Sequence, residues 1–288
     1  MSESSSLNMR DRVMEIVFLV CTATSIIAVA LISWFVFSHS IPAMAEAGFA
    51  EFLFGSKWAP GQEMWGILPM IVGSIYVTLG AAVIGVPIGI FSAVYMSFYC
   101  PKKLKGILQG GINLLAGIPS IIYGLWALKV IVPMIRSAFG GHGLSMLAAI
   151  ILLGIMILPT VITLSQSALE SVPPAYYQGA IGLGATHERS IFTVVIPAAS
   201  SGILSSVIMG IGRAIGETMA VVMVIGNQPV MPSSLVKGAR TLTANIVTEM
   251  SYASGLHRNL LIATGAVLFV FILVINIAFN RVKSKEKN

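Results

Sequence analysis

Arg213 and Glu217 stand four residues apart in a run that is otherwise free of charge from Ser190 to Gly226. An arginine at the centre of a membrane-crossing helix costs from roughly 3 kcal/mol on insertion scales to above about 10 in simulations. Side chains of this kind at that depth either pair with one another or handle charge that crosses the bilayer. In an unbroken helix the i, i+4 spacing puts both on one face, so the spacing predicts an Arg213–Glu217 ion pair. Gly212 and Gly216 add a G-x-x-x-G pattern that would bring backbone and charge beside the same neighbour. Two readings stand: a permanent pair that pins this helix to another, or a working site.

Other chemistries have little to build on. The sequence holds no G-x-x-x-x-G-K-[ST] phosphate loop, G-x-S-x-G elbow, H-E-x-x-H motif or Cys/His metal cluster. His39, His142, His187 and His257 all fall in predicted loops, and a metal site built from them would have to cross the membrane. Cys21 and Cys100 lie in or beside apolar runs without a spacing motif and read as small buried hydrophobes. Glu217 is the one acid at membrane depth, so a hydrolase would lack a second base. Transport therefore ranks above catalysis.

The elements that must position this pair follow from composition. Hydrophobic residues make up 56% of the 288 and charged residues only 10%, against about 25% charged in soluble domains. The chain reads as an all-α integral membrane protein. Six charge-poor stretches each supply the ~20 residues of a crossing: Ile16–Phe37, Gly66–Tyr99, Gly106–Leu128, Gly143–Leu169, Ser190–Gly226 and Asn259–Asn280. Pro69, Pro87, Pro119 and Pro159 predict kinks or helix starts in or near spans two to four. Gly85 and Gly89 form a further G-x-x-x-G that reads as tight helix packing. Val17–Phe37 is 21 residues long, beyond the about 7–15 of a signal-peptide core, so an uncleaved first span is expected. The expected organisation is a first span with an outer loop over 1–65, a five-span core over 66–280 and a basic tail over 281–288.

Basic residues set the orientation. Arg10, Arg12, Lys102, Lys103, Lys105, Arg189, Arg281, Lys283, Lys285 and Lys287 fall on one side, and Lys57, Arg136, Lys237, Arg240 and Arg258 on the other. The positive-inside rule makes the richer side, with both termini, cytoplasmic. The net charge of +6 is dispersed, so no nucleic-acid patch is expected. Trp34, Trp58 and Trp65 suit an interfacial belt around the first outer loop. Lys129, near the predicted outer end of span three, reads as a snorkelling side chain, with substrate contact as the alternative. Thr218 and Asn227 could serve substrate or backbone.

The cytoplasmic loop over about 165–197 is the most structured. Ser171-Val172-Pro173-Pro174 predicts a helix start, and Gly182 and Gly184 a stop. A short helix showing Tyr176 and Tyr177 to the cytoplasm suits docking as well as an ordinary interfacial loop. Here a resemblance emerges. ABC importer permeases carry E-A-A-x₃-G-x₉-I-x-L-P, and this chain has Gln178-Gly179-Ala180, then Gly184, then Val194, Ile196 and Pro197 at those spacings. Gln178 replaces the acid and Gly179 the first alanine. Gly117-Ile118-Pro119-Ser120 through Trp126, Gly212 through Val221 and Thr241 through Ile246 resemble signatures of phosphate permeases. From about Trp65 onward the chain resembles the permease subunits of ABC-type phosphate importers, PstC-like rather than PstA-like.

That resemblance implies a type I permease architecture of six transmembrane helices with a cytoplasmic coupling helix carrying Gln178, Gly179, Ala180, Gly184 and Pro197. It implies a bacterial inner-membrane subunit that is no enzyme and needs no cofactor of its own. Its implied partners are a second, PstA-like permease, an ATPase dimer that binds ATP-Mg and an outer phosphate-binding protein. The implied substrate path holds Arg213, Glu217 and Thr218. Arg213 is 16 residues beyond Pro197, about 24 Å along a straight helix. There its guanidinium would offer two parallel donors to phosphate. Glu217 would hold that cation, or an arginine of the partner permease, until phosphate displaces it. The rival functions are a proton-coupled anion transporter using Glu217 alone and a membrane scaffold or sensor.

Overall fold

The computed structural model describes residues 3–285; the end of the expected basic tail, 286–288, lies outside them. Helix α1 (Glu3–Ala47) runs through the first predicted span and the start of its outer loop. Short α2 (Phe49–Phe54) and an antiparallel hairpin of β1 (Trp58–Ala59) and β2 (Met64–Trp65) complete that loop. Span two is α3 (Leu68–Val94), continued by a π-turn over Tyr95–Tyr99.

Span three differs from the sequence expectation. Helix α4 (Lys102–Gly117) stops at Ile118, whose extended backbone (ψ 126°) precedes Pro119. Proline's ring disfavours helical geometry in the residue before it, and at Ile118 the charge-poor stretch Gly106–Leu128 is cut in two. The span is instead Ser120–Phe139, made of α5 (Ser120–Lys129) and α6 (Ile131–Phe139). Lys129 therefore sits at mid-span, exposed, rather than at the outer end. Helix α4 buries only Ile112 and lies against the bundle.

Span four is α7 (Met146–Glu170), and α8 (Pro174–Gly182) follows. Span five is broken. α9 (His187–Ser190), a π-turn over Ile191–Val195 and α10 (Ile196–Ala198) form one arm. α11 (Ser200–Gly216) leaves at 69° to it, and α12 (Met219–Val224) continues after a second break. The outer segment then carries α13 (Leu242–Glu249), and α14 (Gly255–Lys285) provides span six. Among the described residues, five helices are long and apolar enough to cross a membrane, six with the bent pair.

The core is the α3–α7 pair, with α11 packed across both. Gly85 and Gly89 make that approach possible. A Cβ on Gly85 would lie 2.7 Å from the Gly154 carbonyl oxygen, and one on Gly89 2.7 Å from Val161 Cγ1. The packing reading of this motif therefore holds. Leu152, Leu153, Met156 and Ile157 of α7 fill the centre. The first span packs chiefly along α14.

Candidate functional site

The chain does not carry Arg213 and Glu217 on one helix. α11 ends at Gly216, and Glu217 takes an extended conformation (φ −68°, ψ 130°). The cause is local. Glu217 Oε1 accepts from the backbone N–H of Thr218 at 3.2 Å and of Ala220 at 3.3 Å. Those donors would otherwise be orphaned at the start of α12, so the carboxylate is used as a helix cap. Thr218 Oγ1 turns back to the Gly216 carbonyl at 3.1 Å. Thr243 Oγ1, from α13, donates to the Glu217 carbonyl at 3.0 Å and holds the break from outside. The expected ion pair is not formed.

Arg213 has a different partner. Its Nη1 donates to Thr160 Oγ1 at 3.2 Å. Thr160 follows Pro159, which lies inside the continuous helix α7. The Tyr123 side chain also lies within the field of the guanidinium. Among the described residues the ion pairs are Lys105–Glu170, Arg240–Glu249 and His257–Glu249, so Arg213 is half-buried without a carboxylate within 4 Å. A Cβ on Gly212 or Gly216 would meet nothing within 4 Å, so this glycine pair faces open space rather than a helix of this chain. The 69° bend at Ala199 also shortens the straight-helix path assumed between Pro197 and Arg213.

A second charged cluster lies at the end of the bundle with the β1–β2 hairpin. Glu249 is 5% exposed. Its Oε2 accepts from Trp58 Nε1 at 2.9 Å and lies 2.9 Å from His257 Nε2, while Oε1 pairs with Arg240. Arg240 also donates to Asn245 Oδ1 at 3.0 Å and to the Asn227 carbonyl at 2.9 Å. Asn227 Nδ2 donates to the Val222 carbonyl at the end of α12, so it serves backbone. Burial raises the phenol pKa of nearby Tyr252, with the Glu249 carboxylate adding to the effect and Arg240 opposing it. Trp58 and Trp65 are buried in this cluster instead of forming an interfacial belt, and His257 sits in α14 rather than in a loop. A sequence separation of 191 between Trp58 and Glu249 hid this contact from sequence reading.

At the opposite end, α8 forms where its prolines and glycines predict. Pro173 caps it and Pro174 opens it. Gly184 has φ +86°, a left-handed value suited to glycine. Its N–H donates to the Ile181 carbonyl at 2.9 Å, and Ala185 N–H to that of Ala180 at 3.1 Å, the paired closure of a Schellman stop. The helix buries no side chain; Gln178 and Gly179 are exposed, as is Leu183 at 92%. A shallow groove beside it is lined by Tyr176, Gly179, Leu183, Arg189 and Val194. Pro197 lies in α10, next to the bend in span five. Two groups of expected site residues are thus placed on one broken span and its approach: Gln178 through Pro197 at one end, and Arg213, Glu217 and Thr218 beyond α11.

Comparison with known proteins places this geometry. Residues 85–287 match the family model described as "Binding-protein-dependent transport system inner membrane component". The chain is 40% identical over 242 residues to a probable ABC transporter permease, YqgH, of Bacillus subtilis, covering 81% of this chain and 78% of that protein. It is 35% identical over 260 residues to the phosphate transport system permease protein PstC of Mesorhizobium japonicum, covering 83% and 79%. Among solved structures, a chain of the MetNI methionine ABC transporter in an inward-facing conformation superposes with a TM-score of 0.63 at 20% identity, covering 80% of this chain and 99% of that one. The fold is that of a type I ABC importer permease. By the reach of the family match and the identity to these relatives, the chain belongs to the inner-membrane components of binding-protein-dependent transport systems.

Proposed function

We propose that this subunit forms part of the path for inorganic phosphate through an ATP-driven importer, with Arg213 as the fixed cation in that path. The observation that carries the reading is the charge state of Arg213's surroundings. It is half-buried in a membrane bundle, its hydrogen-bond partner Thr160 is neutral, and Glu217 is engaged elsewhere. A guanidinium so placed retains unused donors in the fork geometry that suits an oxyanion. Phosphate as the anion is supported by the PstC relatives, which are phosphate transport system permeases. Glu217 and Thr218 then shape the path by fixing the break between α11 and α12. This replaces the expected switched pairing, because no ion pair joins Glu217 to Arg213 and the Glu217 Oε1 caps α12 instead.

The subunit works beside a second, PstA-like permease, and an outer phosphate-binding protein delivers the anion. ATP-Mg is bound and hydrolysed on a separate ATPase dimer, which docks at Gln178, Gly179, Ala180 and Gly184 and acts on span five through Pro197. Both termini then face the cytoplasm in a bacterial inner membrane. The test is ATP-dependent phosphate uptake by proteoliposomes holding the complete complex, compared with the same assembly lacking this subunit. The proposal expects uptake only in the first; equal uptake in both overturns it.

A further inference from the structure

Helix α8 is a docking element with a weak hold on its own protein. None of its side chains is buried, and Tyr177 alone joins it by a side-chain hydrogen bond among those described. Tyr177 Oη lies 2.7 Å from Nδ1 of His187, the first residue of α9, and the two rings stand edge to face at 5.7 Å. The other side of His187 meets Tyr99, with ring centroids 5.0 Å apart at 70°. Tyr99 closes the π-turn that ends span two, and His187 precedes the π-turn Ile191–Val195 in span five. Tyr177 also packs against the buried cluster holding Met96, Ile191 and Val195. One imidazole therefore touches α8, span two and span five together.

We infer that His187 is the positioning residue through which movement of α8 reaches spans two and five at once. The inference rests on the proposed ATPase docking of α8. Thr186 Oγ1 caps α9 by accepting from Arg189 N–H at 3.3 Å, which fixes the backbone beneath His187. The Tyr177 contact suits either charge state of the ring. A neutral imidazole with the proton on Nε2 accepts from the phenol, and an imidazolium donates from Nδ1. The π-turns on both sides have wider, less regular hydrogen bonding than α-helix, a feature found often at functional sites. They give spans two and five room to shift where the push arrives.

The test uses the complete complex in proteoliposomes and reads phosphate taken up per ATP hydrolysed. Tyr177→Phe removes one hydroxyl and leaves packing intact. It is expected to lower that ratio by about three- to tenfold, the range of one lost hydrogen bond. His187→Ala should lower it at least as far, and Tyr177→Phe/His187→Ala no further than His187→Ala alone. His187→Asn, which can still present a polar atom near the Nδ1 position, should recover part of the loss. A wild-type ratio in Tyr177→Phe, or multiplicative losses in the double variant, overturns the inference. Wild-type complex that shows no ATP-dependent uptake, or loses none when this subunit is omitted, overturns the underlying assignment instead.

Discussion

Arg213 is held by a hydroxyl, and this decides what its removal does. Had it been paired with Glu217, Arg213→Gln would strand a buried carboxylate and destabilise the fold by about 3–5 kcal/mol. With Thr160 as partner, the change leaves only a neutral hydroxyl to satisfy. Arg213→Gln is therefore expected to assemble at wild-type levels in a pull-down of the complex while phosphate uptake falls at least about tenfold, as for a lost charge-assisted contact. Arg213→Lys keeps the charge and loses the planar fork, and should fall between the two. Glu217 predicts the opposite balance. Glu217→Ala removes the cap of α12 at a cost of about 1 kcal/mol, whereas Glu217→Gln keeps an acceptor oxygen and should melt close to wild type in detergent.

At the scale of elements, the two glycine pairs make opposite predictions. Gly85→Ala puts a Cβ 2.6 Å from Ile157 Cγ1 and should lower the melting temperature of the detergent-purified subunit, the cost of overpacking being about 1–3 kcal/mol. Gly212→Ala meets nothing and should leave the isolated subunit unchanged or slightly more stable. The sequence carried most of these elements plainly. Apolar length showed the spans, and proline and glycine showed both ends of α8. It misled where apolar length outweighed punctuation. Ile118–Pro119 divides one charge-poor stretch, and Gly216-Glu217-Thr218 divides another. The second break was legible in principle, since a glycine followed by an acid and an apolar run is also a helix stop and start. Reading Arg213 and Glu217 as i, i+4 assumed the helix that this signal denies. Thr160 and Thr243 were not legible, because their roles arise from contacts between distant segments.

The whole molecule joins a broken span to two ends of a bundle. At one end, Glu249 collects Trp58, Arg240 and His257 around α13, and α13 supplies Thr243 to the break. At the other, α8 reaches span five through His187. Glu249→Ala leaves the half-buried Arg240 guanidinium and His257 imidazole without their buried carboxylate, and a loss of about 3–5 kcal/mol is expected in thermal unfolding of the purified subunit. Between these ends lies the proposed contact of Arg213 with the transported anion. It is tested most directly by the initial rate of ATP-driven phosphate uptake in proteoliposomes carrying the fully assembled complex with Arg213→Gln. An intact complex whose uptake is at least about tenfold slower is expected; an intact complex importing phosphate at the wild-type rate would overturn the contact.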